Sequence, residues 1–323
     1  MSEAKYDIIT IGDMCVDLIM DLGEIVPQFG QVEQWVPDYF MEMGGSACIF
    51  ACQAAKLGLR VGILGRLGPD TPGDLMLQRM RESGVDTGPV MVDPSLKTGL
   101  GIALCRPDGD RAILTYGGSL NAVYRDDITD DFLLQGRHLH YCSYYLQTNL
   151  QPFAADILRR AKALGLTVSL DTNWDPMETW DGGVRAALGY SDLFFPNERE
   201  AMALAGRDSL PAALDRLQEL GPPDLIIAVK RGEHGALVRA GQREIAVPVP
   251  AADRLVDTIG AGDSFDAGFL AGWLHGLPLE TCTTIANSCG RATTQARGGI
   301  QGQPHMADFP QLCWSKAIER DRT

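Results

Sequence analysis

A glycine-rich turn immediately before an apolar helix constrains this chain more than any other feature, and it reads Gly260-Ala261-Gly262-Asp263. From Phe265 onward, apolar residues recur at i, i+4, i+5 and i+8, which is the spacing of an amphipathic helix. The first amides of a helix have no intrahelical acceptor, and the helix dipole adds partial positive charge there. Because glycine allows the backbone to approach a ligand closely, the turn predicts an anion-binding site.

An aspartate next to a bound anion needs a reason, because two negative groups repel each other. Asp263 is explained if it faces a hydroxyl that loses its proton while attacking a phosphoryl group. The alternative is that its charge only stabilises the first helical turn, as acidic residues often do. The four residues of the turn leave both interpretations open.

Composition excludes several classes of protein. The 323 residues are 45% hydrophobic, which suits one large α/β domain, and a formal charge of −14 without a basic cluster argues against a nucleic-acid binder. Eight cysteines are scattered through apolar segments without a CxxC pair, so we expect buried reduced thiols and a cytoplasmic protein. The chain starts without the pattern of a signal peptide, and no apolar run reaches the roughly 18 residues that span a bilayer.

Strand and helix patterns alternate along most of the chain, which predicts an α/β fold with a mainly parallel sheet covered on both faces. Strands are expected at 7–12, 60–67, 138–143, 167–172, 192–196 and 224–230, with a hairpin at 236–239 and 244–249. Helices are expected at 46–57, around 75–80, and at 152–164, 198–205 and 210–220. Two irregular segments, about 14–43 and 98–117, predict β strands that form a small lid. We therefore interpret residues 1–323 as a single domain with two lid inserts.

Common phosphate-binding motifs are absent. The chain has no Gly-Lys dipeptide and therefore no GxxxxGK[ST] loop, and the H-R-D and D-F-G elements of protein kinases are missing. Gly260-x-Gly262 is not a dinucleotide fingerprint, because Phe265 occupies the position of its third glycine. If the glycine turn binds phosphate, it does so in another kind of site.

Two motifs resemble those of the ribokinase-like sugar kinases, also called the phosphofructokinase-B family. Residues 257–265 read DTIGAGDSF and resemble the family's C-terminal D-T-x-G-A-G-D-x-F, and residues 44–47 (GGSA) resemble its N-terminal glycine-pair motif. The resemblance covers nearly the whole chain. It implies a ribokinase-like three-layer sandwich with a mainly parallel sheet and a small β lid.

The same resemblance assigns roles around the turn. It implies that Asp263 is the catalytic base and that the amides of Gly260, Ala261 and Gly262 form an anion hole. Donors aimed in advance at the transferring phosphoryl oxygens are a large source of catalysis. Asp257 resembles the side-chain ligand of a monovalent cation such as K⁺, and its alternative role is that of a structural turn aspartate.

The resemblance also implies an ATP site with Mg²⁺. Asn197 and Glu200 resemble the family's N-x-x-E, which helps to hold hydrated Mg²⁺, a cation that prefers oxygen ligands and keeps its waters. Read alone, the same pair is an ordinary helix capping box. The other residues implied for the nucleotide site are Lys230, Gly232, Gly235 and Asn287.

The sugar site is implied on the opposite side. Asp17 resembles the family's acidic residue that accepts hydrogen bonds from sugar hydroxyls, and Asp13 lies just before it; without the resemblance, both could be solvated loop acids. Gly44 and Gly45 are expected to bring backbone close to the sugar. The chain departs from the family pattern where an asparagine that contacts substrate is replaced by Ile49.

A second departure affects the substrate class. Residues 171–176 (DTNWDP) resemble a family D-x-N-x-R-x segment, but Asp175 replaces the basic residue, which weakens the case for a substrate bearing a carboxylate or phosphate. We therefore interpret the chain as an ATP-dependent kinase acting on a primary hydroxyl of a neutral, ribose- or fructose-type sugar. The alternatives are an adenosine-like nucleoside kinase, which Ile49 would suit, and a non-catalytic sugar-sensing protein. Pairing of lid strands would give a homodimer.

Overall fold

The structure, a computed structural model, describes residues 4–108, 110–249 and 254–312. Its strands are β1 (Tyr6–Ile11), β2 (Cys15–Asp21), β3 (Asp38–Met43), β4 (Val61–Leu67), β5 (Val90–Val92), β6 (Gly99–Cys105), β7 (Arg111–Tyr116), β8 (Gly136–Tyr141), β9 (Thr167–Leu170), β10 (Leu193–Phe194), β11 (Ile226–Lys230), β12 (Ala236–Ala240) and β13 (Arg243–Val247). The large sheet has the order β13-β12-β11-β10-β9-β8-β1-β4-β5. Its strands run parallel except at the β11-β12-β13 end, as the alternating pattern predicts.

Helices cover both faces of this sheet. They are α1 (Ser46–Lys56), α2 (Thr71–Glu82), α3 (Asp130–Leu133), α4 (Ala154–Ala163), α5 (Val184–Leu188), α6 (Glu198–Ala205), α7 (Leu210–Leu220), α8 (Ala261–Leu274) and α9 (Leu279–Thr293). Side chains of α1, α8 and α9 fill one core, and side chains of α4, α6 and α7 fill the other. The three-layer α/β arrangement is confirmed.

The central strand β1 explains why the sheet is buried on both faces. Successive side chains of a strand point to opposite faces. Ile8 packs into the core of α1 and α8, whereas Ile9 and Ile11 pack into the core on the other face, and all three are fully buried. An uninterrupted apolar run is therefore what a strand between two helical layers requires.

The two irregular segments form a separate small sheet, which we call the lid, with the order β3-β2-β6-β7. β2 pairs parallel with β6, whereas the β2-β3 and β6-β7 pairs are antiparallel. The lid thus combines strands from both segments, about 14–43 and 98–117, that the sequence indicated. The single-domain interpretation of residues 1–323 stays a prediction.

Short elements were not expected from the sequence. β5, α3 and α5 have only three to five residues, too few for a hydrophobic period to be recognised. The strand expected at 192–196 is limited to Leu193–Phe194. The cysteines of the described residues are free thiols, and Cys313 lies outside the described residues. Within the described ranges, no helix is both long and apolar enough to cross a membrane.

Candidate active site

The glycine turn enters α8 as the sequence predicts. Gly260 caps the helix with φ 74°, a conformation that favours glycine. A Cβ at this position would lie 2.7 Å from the Cα of Gly299, so the close approach of two backbones also requires glycine. Within the described residues, the amides of Gly260 and Gly262 donate to no acceptor, whereas the amide of Ala261 makes a long bond of 3.4 Å to Thr258. The turn therefore presents free donors at the positive end of a helix dipole.

Asp263 lies in the first turn of α8 and is half-buried. Burial, together with the nearby charges of Asp171 and Asp13, raises its pKa to about 8, although Lys230 and the neighbouring Ser46 oppose the rise. Ser46 is the first residue of α1, so Asp263 lies where two helices begin. A carboxylate with a raised pKa is a stronger base than an ordinary aspartate, which suits proton abstraction from an alcohol.

Asp13 has a different role from the one the sequence suggested. It is buried, and its carboxylate accepts hydrogen bonds from the amides of Ser46 (3.2 Å) and Ala47 (3.1 Å) and from the hydroxyl of Ser143 (2.6 Å). Both of its oxygens are therefore occupied within the protein. The expectation that Asp13 accepts bonds from sugar hydroxyls is corrected: Asp13 anchors the start of α1 and so positions Ser46 beside the base.

Asp17 remains available to a ligand. It lies on β2 in the lid, is half-buried, and makes no side-chain hydrogen bond with any of the described residues. Burial raises its pKa to about 6, with smaller contributions from Asp13 and Asp257. A Cβ at Gly44 or at Gly101 would collide with this carboxylate, so the two glycines leave space for it.

Two other residues expected at the sugar site support the backbone. Gly45 has φ 80°, and a Cβ there would collide with the carbonyl oxygen of Asp13. Ile49 is only 3% exposed and packs behind the glycine turn, because Cβ atoms placed at Gly260 and Gly299 would approach its side chain within 3 Å. The expectation that Ile49 contacts substrate is therefore corrected, since its side chain is part of the apolar core.

A cleft of about 550 Å³ opens at the start of α8 and contains most of the expected nucleotide residues. Its lining includes Lys230, Gly232, Gly235, Thr258, Ala261, Gly262, Phe265 and Asn287. A Cβ at Gly235 would collide with the carbonyl oxygen of Val247, and the amide of Asn287 donates to that same oxygen at 2.9 Å. The cleft thus joins the end of β11 to the glycine turn.

Asn197 and Glu200 form the capping box of α6. The amide of Asn197 donates to Oε2 of Glu200 at 2.8 Å, and the amide of Glu200 donates to Oδ1 of Asn197 at 2.9 Å. Burial raises the pKa of Glu200 to about 7. Asn197 is not among the described residues that line the cleft; it lies beside Lys230 through a β-bridge. The two side chains therefore form the helix capping box, which was the alternative interpretation of this pair from the sequence alone.

A buried charge cluster under the site was missed by sequence reasoning. The ammonium of Lys230 lies 2.6 Å from Oδ2 of Asp171 and 3.3 Å from Oδ1 of Asp266. The three side chains are 15%, 3% and 0% exposed. Attraction to the carboxylates raises the pKa of Lys230, and burial raises the pKa of Asp266 well above its usual value. The signal in the sequence was Asp266, a carboxylate that lies within the apolar run of α8 and therefore needs a buried partner.

The segment after β9 connects this cluster to the base. The Oδ1 of Asp171 accepts the amide of Asn173 at 2.9 Å, and the side-chain amide of Asn173 donates to Oγ of Ser46 at 2.7 Å. Asp175, which replaces the family's basic residue, is turned inward and accepts bonds from the amides of residues 177, 179 and 180. Asp175 therefore holds this loop together.

Asp257 uses both oxygens within the protein. Its Oδ1 accepts the amide of Ile259 and its Oδ2 accepts the amide of Gly298, each at 3.0 Å. Throughout the described ranges, no group of three or more His, Cys, Asp or Glu side chains is arranged to hold a metal ion. A role for Asp257 toward K⁺ stays a prediction.

A family model decides the identity of this site. The model of the pfkB family carbohydrate kinases matches residues 5–306, almost the entire chain. The chain belongs to the pfkB family of carbohydrate kinases. It is thus an enzyme of the sugar kinase class, and ATP with Mg²⁺ is the phosphate donor typical of pfkB kinases.

Curated relatives of this pfkB kinase act on several sugars. It is 34% identical over 263 residues to an ATP-dependent ribose-1-phosphate kinase of Halopiger xanaduensis, covering 81% of this chain and 83% of the relative. It is 30% identical over 317 residues to a fructokinase of Klebsiella pneumoniae, covering 93% and 96%. A ribokinase of Arabidopsis thaliana solved with ribose and ATP shares the fold, with a TM-score of 0.81, 23% identity, and coverage of 95% and 98%.

Proposed function

We propose that this pfkB kinase transfers the γ-phosphoryl group of ATP to a primary hydroxyl of a neutral, ribose- or fructose-type sugar. The observation that carries the proposal is the position of Asp263 at the start of α8, beside Ser46 and adjacent to the free amides of Gly260 and Gly262. The amides stabilise charge on the transferring phosphoryl oxygens, and the carboxylate takes the proton of the attacking hydroxyl.

The acceptor binds between the glycine turn and the lid in this proposal. Asp17 supplies a carboxylate without a protein hydrogen-bond partner among the described residues, and such a group accepts bonds from several hydroxyls at once. Closure of the lid over the sugar excludes water, which would otherwise compete as phosphoryl acceptor. The nucleotide occupies the cleft that ends at Lys230 and Asn287.

Two cation sites belong to the proposal. The carboxylate of Glu200 uses one oxygen in its capping box, and the second oxygen can accept a water of hydrated Mg²⁺ near the phosphates. Mg²⁺ would neutralise charge on the phosphate oxygens. Asp257 fits a monovalent cation only through its remaining lone pairs, together with backbone oxygens. Such a cation would stiffen the glycine turn without touching substrate.

A sugar panel tests the choice of substrate. We expect ribose- or fructose-type sugars to give a higher kcat/KM than ribose 1-phosphate or sugar acids, because Asp175 is turned inward where the family pattern has a basic residue. A coupled ADP assay over pentoses, hexoses, sugar acids, sugar phosphates and nucleosides, with K⁺ or with Na⁺, measures this preference. A preference for sugar phosphates would remove the neutral-substrate proposal, and a preference for adenosine would favour the nucleoside alternative.

The lid also carries a candidate dimer surface. Strand register puts Tyr39, Met41, Leu114 and Tyr116 on the face of the lid opposite Asp17, and these side chains are 39–66% exposed. A contiguous exposed apolar surface of this kind marks an interaction site. We propose that a second copy of the chain covers it.

Introducing a charged residue on this surface should dissociate the dimer. We expect Leu114→Glu to convert a dimer to a monomer in light scattering after size-exclusion chromatography, because an unpaired carboxylate would be buried. Leu134→Glu is the matched control, since Leu134 is similarly exposed (54%) but lies just beyond α3, outside the lid. A wild-type monomer, or a Leu114→Glu dimer, would rule out this surface. A cytoplasmic location also remains a proposal, which the free thiols of the described residues support.

A further inference from the structure

The side-chain hydroxyl of Ser46 joins the loop after β9 to the proposed base. The side-chain amide of Asn173 donates to Oγ of Ser46 at 2.7 Å. Ser46 begins α1 and also lies beside Asp263, in the first turn of α8. All three residues are half-buried, so bulk water screens their interactions only in part. The serine therefore connects a segment far along the chain with the carboxylate that is to take the proton.

The chemistry of the three side chains fixes the direction in which this hydroxyl donates. The amide nitrogen of Asn173 carries only donors, so Oγ of Ser46 is the acceptor in their hydrogen bond. The hydroxyl still has its own proton to donate, and an ionised carboxylate, which only accepts, is the partner that suits it. A hydrogen bond to an ionised group is also stronger than one between neutral groups. Asn173 thus leaves the proton of Ser46 available to Asp263.

Buried contacts hold both members of this pair in place. The backbone amide of Ser46 donates to Oδ2 of Asp13, which is only 2% exposed. Asn173 has φ 56°, a conformation that asparagine adopts more readily than most residues, and its backbone amide donates to Oδ1 of Asp171 at 2.9 Å. Oδ2 of Asp171 lies 2.6 Å from the buried ammonium of Lys230. The amide and the hydroxyl are therefore positioned by the protein before any substrate binds.

We propose that Asn173 and Ser46 orient the base: Asn173 holds the hydroxyl of Ser46, which donates to one carboxylate oxygen of Asp263. The other oxygen is then left for the acceptor hydroxyl. That hydroxyl gives its proton to the free oxygen while its own oxygen bonds to the γ-phosphorus and ADP leaves. Ser46 and Asn173 are positioning residues, because they act on the reacting groups through Asp263. This orienting role rests on the proposed function of Asp263 as base and adds the side chains that aim it.

A double-mutant cycle measures the orienting role, with the neutral sugar that the panel ranks first. Ser46→Ala removes the hydroxyl, and Asn173→Gly removes the amide at a position whose positive φ suits glycine. We expect each change to lower kcat by roughly 10-fold, with little change in the KM for sugar or for ATP. Because Asn173 acts through Ser46, the double variant should be no slower than Ser46→Ala alone. In an Asp263→Asn enzyme, neither change should lower the residual kcat further.

A matched control removes the same kind of hydrogen bond elsewhere. The side-chain amide of Asn121 donates to the hydroxyl oxygen of Thr148 at 2.6 Å, at an exposed position outside the proposed site. Asn121→Gly should therefore keep the wild-type kcat. A loss of kcat in this control equal to that of Asn173→Gly would assign the effect to general loosening of the fold and overturn the orienting role.

Asn173→Asp tests the direction of the hydrogen bond. Aspartate also tolerates positive φ, but its carboxylate only accepts, so it would draw the proton of Ser46 away from Asp263. We expect a larger fall in kcat than in Asn173→Gly, and Ser46→Ala should remove most of that difference. A kcat equal to or above that of Asn173→Gly would contradict the proposed orientation of the hydroxyl.

The titration of Asp263 tests the same contacts without turnover. Burial raises its pKa to about 8 and Ser46 opposes this rise; the charged groups that face the carboxyl are Asp171, Lys230 and Asp13. Ser46→Ala should therefore move the titration of Asp263 to higher pH, and Asn173→Gly should move it in the same direction by less. NMR of isotope-labelled aspartate carboxyl groups follows the titration, and the signal missing from Asp263→Asn identifies the residue.

The outcomes separate this role from the proposed function. A titration of Asp263 that Ser46→Ala leaves unchanged would overturn the orienting role, as would losses of kcat that add in the double variant. A raised KM for sugar with unchanged kcat would instead make Ser46 a sugar contact, which also overturns it. Wild-type kcat in Asp263→Asn would remove the proposed base, and the titration would still decide whether Ser46 and Asn173 act on this carboxyl.

Discussion

Replacing Asp263 by asparagine is expected to lower kcat by roughly 10²–10⁴, with little change in the affinity for nucleotide. The amide keeps the size of the side chain but cannot take the proton of the attacking hydroxyl. The amides of Gly260 and Gly262 remain in place, so binding of the phosphates should persist. Initial rates at saturating sugar, with AMP-PNP binding measured separately, distinguish loss of the chemical step from loss of binding.

The dependence of activity on pH adds a second signature of the same residue. Because the pKa of Asp263 is raised to about 8 in the free enzyme, the base is mostly protonated below that pH and mostly ionised above it. We therefore expect kcat/KM to rise with pH toward about 8, and this limb should be absent from the residual activity of Asp263→Asn.

The stability of Asp263→Asn should not fall with its activity, so a melting measurement serves as the control for correct folding of this variant. A carboxyl group whose pKa is raised on folding destabilises the folded state as pH rises from its unfolded pKa to its folded pKa. The variant should thus melt at the same or a higher temperature than the wild type at pH 8, because it removes this penalty. Wild-type turnover in a folded Asp263→Asn enzyme would eliminate Asp263 as the base.

The sequence could predict those features that depend on neighbouring residues along the chain. The turn at 260–263 and the helix after it, the capping box of Asn197 and Glu200, and the alternation of strands and helices are all local patterns, and the structure contains them. The family resemblance then placed Lys230 and Asn287 at one cleft, although they lie on separate elements.

What the sequence could not predict depends on contacts between distant segments. The carboxylate of Asp13 has an obvious place beside Asp17 in the sequence, but its partner Ser143 is 130 residues away. Ile49 occupies a position that contacts substrate in the family pattern, yet the approach of Gly299 encloses it in the core. In both cases a side chain that resembles a ligand contact instead supports the backbone on which the site is built.

The cluster of Lys230, Asp171 and Asp266 supports the second prediction, which concerns stability. We expect Lys230→Met to lower the free energy of unfolding by about 3–5 kcal/mol, because it leaves buried carboxylates without their counter-charge. Lys162→Met is the matched control: Lys162 lies at the same 2.6 Å from Asp192, but the pair is 36% and 20% exposed. Its loss should cost about 1 kcal/mol or less. Urea unfolding of the three proteins measures the difference.

The sign of the pH dependence identifies the cause of that loss. Without Lys230, the carboxyl of Asp171 loses the attraction that holds its pKa below the usual value, so its pKa should rise in the folded state. A carboxyl group with a raised pKa favours the folded state at low pH, and this contribution is lost as pH increases. The free energy of unfolding of Lys230→Met should therefore be much lower at pH 8 than at pH 5.5. Adding Asp266→Asn should recover part of the stability, since one buried acid is removed. The opposite result is a loss in free energy of unfolding that is equal at both pH values and unchanged by Asp266→Asn. That result would mean that Lys230 contributes through packing of its apolar stem, and that the charge cluster does not hold β11 against α8.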